Sequence, residues 1–150
     1  MANTFTQLRY HCIWSTKNRE PIIRQEIEER AWAIIASTGT RHGMNVLKVG
    51  GFDNHVHALL DIPKTISVSE AMKRLKAGSS NGINKANIVN GHFGWQDGYG
   101  AYTVSASAIP DVVSYISNQR EHHRTMRFEE EFVKLLEKHE VEYDSKYLWD

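Results

Sequence analysis

The stretch Gly50-Gly51-Phe52-Asp53-Asn54-His55-Val56-His57-Ala58-Leu59-Leu60-Asp61-Ile62-Pro63 decides how the rest of the chain is read. From Asn54 to Ile62 it has the alternation of a strand. Successive side chains of a strand point to opposite faces, so His55 and His57 share one side while Val56, Ala58, Leu60 and Ile62 form an apolar strip on the other. Val46 to Phe52 reads as a second strand, and the Asp53-Asn54 turn between the two predicts an antiparallel hairpin. Two imidazoles held side by side are half of a metal site. They are equally the polar face of a half-buried strand, and the spacing alone leaves both readings open.

Upstream, Phe5 to Thr16 alternates, with Leu8, Tyr10, Cys12 and Trp14 on one face and Gln7, Arg9 and His11 on the other. After the turn Lys17-Asn18-Arg19-Glu20-Pro21, Ile23, Ile27, Ala31, Ile34 and Ile35 recur at helical spacing, predicting a first helix that ends near Gly39 or Gly43. Downstream, Ser67-Val68-Ser69-Glu70 has the spacing of a capping box and opens a second helix, with Val68, Ala71, Met72 and Leu75 on one face. A fourth strand, Ala101 to Ser105, follows the glycine- and aromatic-rich Trp95-Gln96-Asp97-Gly98-Tyr99-Gly100. A third helix is expected from Ser107-Ala108-Ile109-Pro110-Asp111 to about Arg124, its proline tolerated in the first turn. A fourth runs from about Phe128 to His139, with Phe128, Phe132, Leu135 and Leu136 inward and its glutamates outside. The aromatic tail Tyr143 to Trp149 gains by docking on the body.

The order strand, helix, strand, strand, helix, strand is the split β-α-β arrangement. It predicts an α+β, ferredoxin-like antiparallel sheet with helices on one face and the other face free for a partner. Residues 1–150 are expected to form one domain, with 128–150 as a C-terminal helix and docked tail.

At 150 residues and 41% hydrophobic content the chain can bury a real core. It has no run of about 18 apolar residues and no charged-then-apolar leader, so a cytoplasmic protein without a membrane helix is expected. The single Cys12 has no internal partner and lies on an apolar strand face, as a structural thiol would. A formal net charge of zero conceals an asymmetry: residues 1–127 carry 15 basic and 10 acidic side chains, residues 128–150 carry 3 and 8. The basic body is compatible with a polyphosphate partner, though an excess of this size is ordinary.

On the third helix, Asp111, Tyr115 and Gln119 are spaced to stack on one face. In order along the chain, His55-Val56-His57, Trp95-Gln96-Asp97-Gly98-Tyr99-Gly100 and Tyr115-Ile116-Ser117-Asn118-Gln119 resemble the single-tyrosine HUH transposases of small bacterial insertion sequences, including relatives associated with repeated extragenic palindromes. The likeness spans nearly the whole chain. It implies a homodimeric enzyme that cuts and rejoins single-stranded DNA with Mg2+ or Mn2+, excising and inserting a mobile element whose ends carry hairpins. Carried over residue by residue, it makes Tyr115 the nucleophile, on a helix near the active site, and His55, His57 and Gln119 the metal ligands. The residue chemistry is consistent: two neutral imidazoles and an amide oxygen leave coordination positions open for a phosphate oxygen, and histidine suits Mn2+ better than Mg2+. A phenol with its pKa near 10 needs help to deprotonate, and its attack conserves the ester as a 5′-phosphotyrosine. Excision needs two cuts and each chain offers one nucleophile, which also argues for a dimer.

Phosphate contacts are expected from Arg9, His11, Lys73, Arg74, Lys76, Lys85, Arg120 and Arg124, with Arg127, His122 and His123 nearby, and unstacked bases could lie on Trp95 or Tyr99. Two other function classes compete. A metal-dependent hydrolase of the metallo-β-lactamase type wants an Asp where Leu59 stands, and a two-histidine phosphoesterase wants a second His-x-Ser/Thr element. A non-catalytic nucleic-acid-binding protein on the same sheet would lose nothing when Tyr115 becomes Phe.

Overall fold

The computed structural model of the chain describes residues 2–149. Four strands, β1 (Arg9–Ser15), β2 (Asn45–Phe52), β3 (His55–Asp61) and β4 (Gly100–Thr103), form one antiparallel sheet in the order β2-β3-β1-β4. Helices α1 (Gln25–Arg41) and α2 (Val68–Ala86) connect the strands as the split β-α-β topology requires. Both pack on one sheet face, where Cys12, Trp14, Val56, Ala58 and Leu60 meet Ala31, Ile35, Ala71, Met72, Leu75 and Ile83 in the main core. Burial raises the Cys12 thiol to about 12, so it is an inert packing group.

Local chemistry sets the joints. Phe52 pairs with His55 across the two-residue turn Asp53-Asn54. A Cβ on Gly51 would stand 2.2 Å from the His55 carbonyl oxygen, so only glycine lets the hairpin close there. Ser67 accepts a hydrogen bond from the Glu70 amide at 3.1 Å, the first half of the capping box at the start of α2. A register shift between Val46 and Lys48 lets Val46 and Val49, three residues apart, both reach the main core.

The opposite sheet face, expected to lie free, is covered by α3 (Ile109–Ser117), α4 (Gln119–His122) and α5 (Phe128–Lys138). The cause is apolar surface on that side. Leu59 packs with Val104, Ile116, Leu47 and Val112, while Ile13 and Tyr102 pack with Phe128, Leu135 and Leu136. The third helix does not run unbroken to Arg124: the Asn118 amide bonds back to the Tyr115 carbonyl, three residues away, and Asn118 (φ −105°, ψ 20°) separates α3 from the single turn of α4. Leu148 and Trp149 pack beside Phe132, and Arg19 lies 4.8 Å from the Trp149 ring, while Tyr143 and Tyr147 stay exposed. Among the described residues no helix is long and apolar enough to cross a membrane.

Candidate active site

Strand alternation aims His55 and His57 away from the main core, and α3, α4 and α5 close over them until both are fully buried. Each ring is gripped on its outer nitrogen. His55 Nδ1 lies 2.9 Å from Asn54 Oδ1, and the Asn54 amide nitrogen donates to the Arg19 carbonyl, which fixes the amide orientation and makes His55 Nδ1 the donor. His57 Nδ1 lies 2.8 Å from His11 Nε2. Both Nε2 atoms then face the pocket under α5, as in histidines that ligate metals.

His11 therefore has a different place from the phosphate-contacting surface expected of it. It is buried, and burial, with His57 adding to it, lowers it to about 3; burial lowers His57 to about 4 against the pull of Glu131. Both are neutral near pH 7.

Tyr115 comes from α3 in the same chain, its ring 5.6 Å from that of His57. Gln119 is buried, with Oε1 3.0 Å from His55 Nε2. Its amide nitrogen donates to Glu131 Oε2 at 3.1 Å and lies 3.4 Å from the Tyr115 carbonyl, which sets which way the amide faces. The four residues carried over from the motif thus meet in one chain.

At their centre stands Glu131, which was expected outside with the other glutamates of its helix. It is 1% exposed. Phe128 three residues before it and Leu135 four after it anchor the same helix face, so the inward stripe carries the carboxylate in. Glu131 Oε1 lies 3.2 Å from His57 Nε2, 3.3 Å from His55 Nε2 and 3.1 Å from His123 Nε2, and Oε2 accepts the Tyr115 hydroxyl. Burial opposes its ionisation, but the surrounding His123, His55 and His57 outweigh it, and Glu131 sits below the usual carboxylate range. The Tyr115 phenol is pushed well above its ordinary value, first by burial and then by the charge of Glu131. His55, His57 and Glu131 each offer an atom suited to a shared cation. Neighbouring donor atoms in the set formed by these three and Gln119 Oε1 stand 3.0–3.3 Å apart, close to the separation of about 3.0 Å between adjacent ligands of an ion with bonds near 2.1 Å.

The remaining basic residues lie further out. Arg120 pairs with Glu28 at 2.7 Å and lies over the Phe52 ring, Arg124 pairs with Glu121, Arg127 with Glu129, and Arg74 with Glu70. Lys73 and Lys85 are exposed. Lys76 is half-buried and donates to the Gln96 and Gly98 carbonyls, which ties α2 to that loop. Arg9 lies 3.9 Å from Asp61. Trp95 packs against Trp14 and Phe93 and donates to Ser79, whereas Tyr99 is partly exposed.

Comparison with known proteins gives the family and the fold. Residues 4–119 match the family model described as IS200-like transposase. ISDra2 transposase TnpA of Deinococcus radiodurans is 26% identical over 121 residues, covering 77% of this chain and 86% of that protein. A crystal structure of a candidate transposase from Deinococcus radiodurans R1 superposes with a TM-score of 0.62 at 25% identity, over 79% of this chain and 95% of the other. A REP-associated tyrosine transposase bound to a REP hairpin has the same fold, with a TM-score of 0.58 at 11% identity over 82% and 73% of the two chains. On the match to 4–119, the chain belongs to the IS200-like transposase family.

Proposed function

We propose that this transposase cuts and rejoins single-stranded DNA through Tyr115, with His55, His57 and Gln119 holding a divalent cation, Mg2+ or Mn2+. The observation that carries the reading is the convergence of a tyrosine hydroxyl, two inward-facing imidazole nitrogens and an amide oxygen in one buried pocket. A cation held there would neutralise charge on a scissile phosphate. The Tyr115 oxygen attacks phosphorus, the bond from phosphorus to the 3′ oxygen breaks, and the 5′ phosphate stays on the tyrosine while a 3′ hydroxyl is freed. Glu131 Oε2 already accepts the phenolic hydrogen bond and stands where that proton would go. One ester replaces another, so the 3′ hydroxyl of a second strand can reverse the step and join DNA without ATP.

The partners follow from the same reading. Two cuts per excised segment call for a pair of copies, and the hairpin in the REP-associated neighbour makes hairpin-bearing single strands the ligand to test. Exposed Lys73, Lys85, Arg120 and Arg124 are the proposed phosphate contacts, the two arginines by exchanging their surface carboxylate partners Glu28 and Glu121 for phosphate, while Arg9, Arg74 and Lys76 are less exposed and held in the protein's own contacts.

The test incubates the protein with single-stranded oligonucleotides copied from the DNA flanking its gene, with and without Mn2+ or Mg2+, and runs a denaturing gel. Cation-dependent cleavage lost in Tyr115→Phe, His55→Ala and His57→Ala supports these roles. Intact DNA with every flanking strand counts against them.

A further inference from the structure

The pocket holds more donors than the two histidines and the glutamine. His123 follows Gln119 by four residues and continues the stripe of Tyr115 and Gln119, and its Nε2 lies 2.9 Å from Gln119 Oε1 and 3.1 Å from Glu131 Oε1. Its other nitrogen, Nδ1, lies 2.7 Å from the Met126 carbonyl. A carbonyl only accepts, so that nitrogen carries the hydrogen, and a neutral His123 turns a lone pair into the pocket.

His55 is gripped in the same way by Asn54 Oδ1, whereas the outer nitrogen of His57 faces His11 Nε2, a ring nitrogen that either donates or accepts. With both rings neutral, the Nε2 atoms of His55 and His123 face one carboxylate oxygen and one amide oxygen with no hydrogen of their own to place between them, and His57 Nε2 joins them when its Nδ1 donates to His11. Turning the Gln119 amide over does not relieve this, because its nitrogen is already spent on Glu131 Oε2. Acceptors crowded at separations of 2.9–3.3 Å call for a positive charge among them: a proton on His123, which Glu131 favours against the effect of burial, or a cation in that proton's place.

We infer that His123 and Glu131 join His55, His57 and Gln119 as ligands of the same cation, which makes this a site of three imidazoles, one carboxylate and one amide oxygen for a transition-metal ion of the Mn2+ to Zn2+ class in preference to Mg2+. This rests on the cation reading above and enlarges its ligand set. Imidazole nitrogen suits the later first-row ions, while Mg2+ keeps oxygen and water around it and gives up its waters reluctantly. The carboxylate also acts a second way, because with Oε1 toward the ion and Oε2 on the Tyr115 hydroxyl, Glu131 links the cation to the nucleophile.

The test is calorimetric titration of Mn2+ and of Mg2+ into the full-length protein without DNA, paired with Mn2+ electron paramagnetic resonance. Wild type should take up one Mn2+ per chain, at least tenfold more tightly than Mg2+. His123→Gln and Glu131→Gln should each weaken Mn2+ by about a hundredfold, at or beyond the loss typical of disturbing a ligand's support. Circular dichroism melts check that the variants fold. His123→Asp supplies a further control, since exchanging imidazole for carboxylate should retain binding and move the preference toward Mg2+, which a merely structural role would not do. Wild-type Mn2+ affinity in both glutamine variants, with binding lost in His55→Ala, would overturn the inference while sparing the smaller site. Absence of Mn2+ uptake by the wild type would sink both.

Discussion

Gly50 carries the most direct mechanical prediction. It lies on β2 beneath α3, and a Cβ built there would stand 2.7 Å from the Ile116 carbonyl oxygen and 2.8 Å from its Cγ2. Ordinary carbon contacts begin near 3.5 Å, so Gly50→Ala must push the helix away by about 0.7–0.8 Å. Ile116 is itself buried, and overpacking of this kind costs about 1–3 kcal/mol, or roughly 2–10 °C in melting temperature for a chain of this size. The residue before Ile116 is Tyr115, so the same displacement moves the proposed nucleophile against the histidines. Misplacement by about 1 Å can cost a hundredfold in rate, and we expect single-turnover cleavage to fall by about 30–100-fold. The assay is a quench time course on a denaturing gel beside a thermal melt, with Gly94→Ala as control, since nothing lies within 4 Å of a Cβ there. A Gly50→Ala protein with wild-type melting temperature and rate would refute the claim that α3 is seated on this glycine.

Other consequences are more local. His11→Phe removes the partner of His57 Nδ1 and should weaken Mn2+ binding by about 10–100-fold in a calorimetric titration. Leu136→Ala empties part of the cluster that holds α5 and should cost about 2–5 kcal/mol in urea unfolding. Stability should decline as pH falls from 6.5 toward 4: His11 and His57 stay neutral when folded but take up protons when unfolded, so each contributes a slope of up to roughly 1.4 kcal/mol per pH unit. A flat urea midpoint over that range would contradict their burial. Cys12 should resist a thiol reagent in the native protein and react fully in denaturant.

The sheet was legible because strand alternation is local: Cys12 and Trp14 face the main core, and Val56, Ala58 and Leu60 do so on β3. The split β-α-β order followed from the same periodicity. What escaped the sequence depends on distant packing. His11 alternates onto the polar side with Arg9, but α3 and α5 arrive over that side and bury it. Glu131 reads as one of several glutamates on an acidic helix, and nothing local pairs it with histidines more than seventy residues upstream. Its spacing from Phe128 and Leu135 was a usable signal. His123 had one too, as the next step of the stripe formed by Tyr115 and Gln119. The break at Asn118 carried no glycine or proline to mark it, and Lys76 looked like a free cation because its acceptors are carbonyls twenty and more residues away.

The central claim is a covalent bond between Tyr115 and DNA. After incubation with Mn2+ and a cleavable flanking strand, the protein is digested with protease and nuclease and analysed by mass spectrometry. The account predicts a peptide containing Tyr115 that carries a 5′-linked nucleotide, absent without cation and absent in Tyr115→Phe. Cleaved strands with no adduct, or a nucleotide on a different side chain, would contradict it.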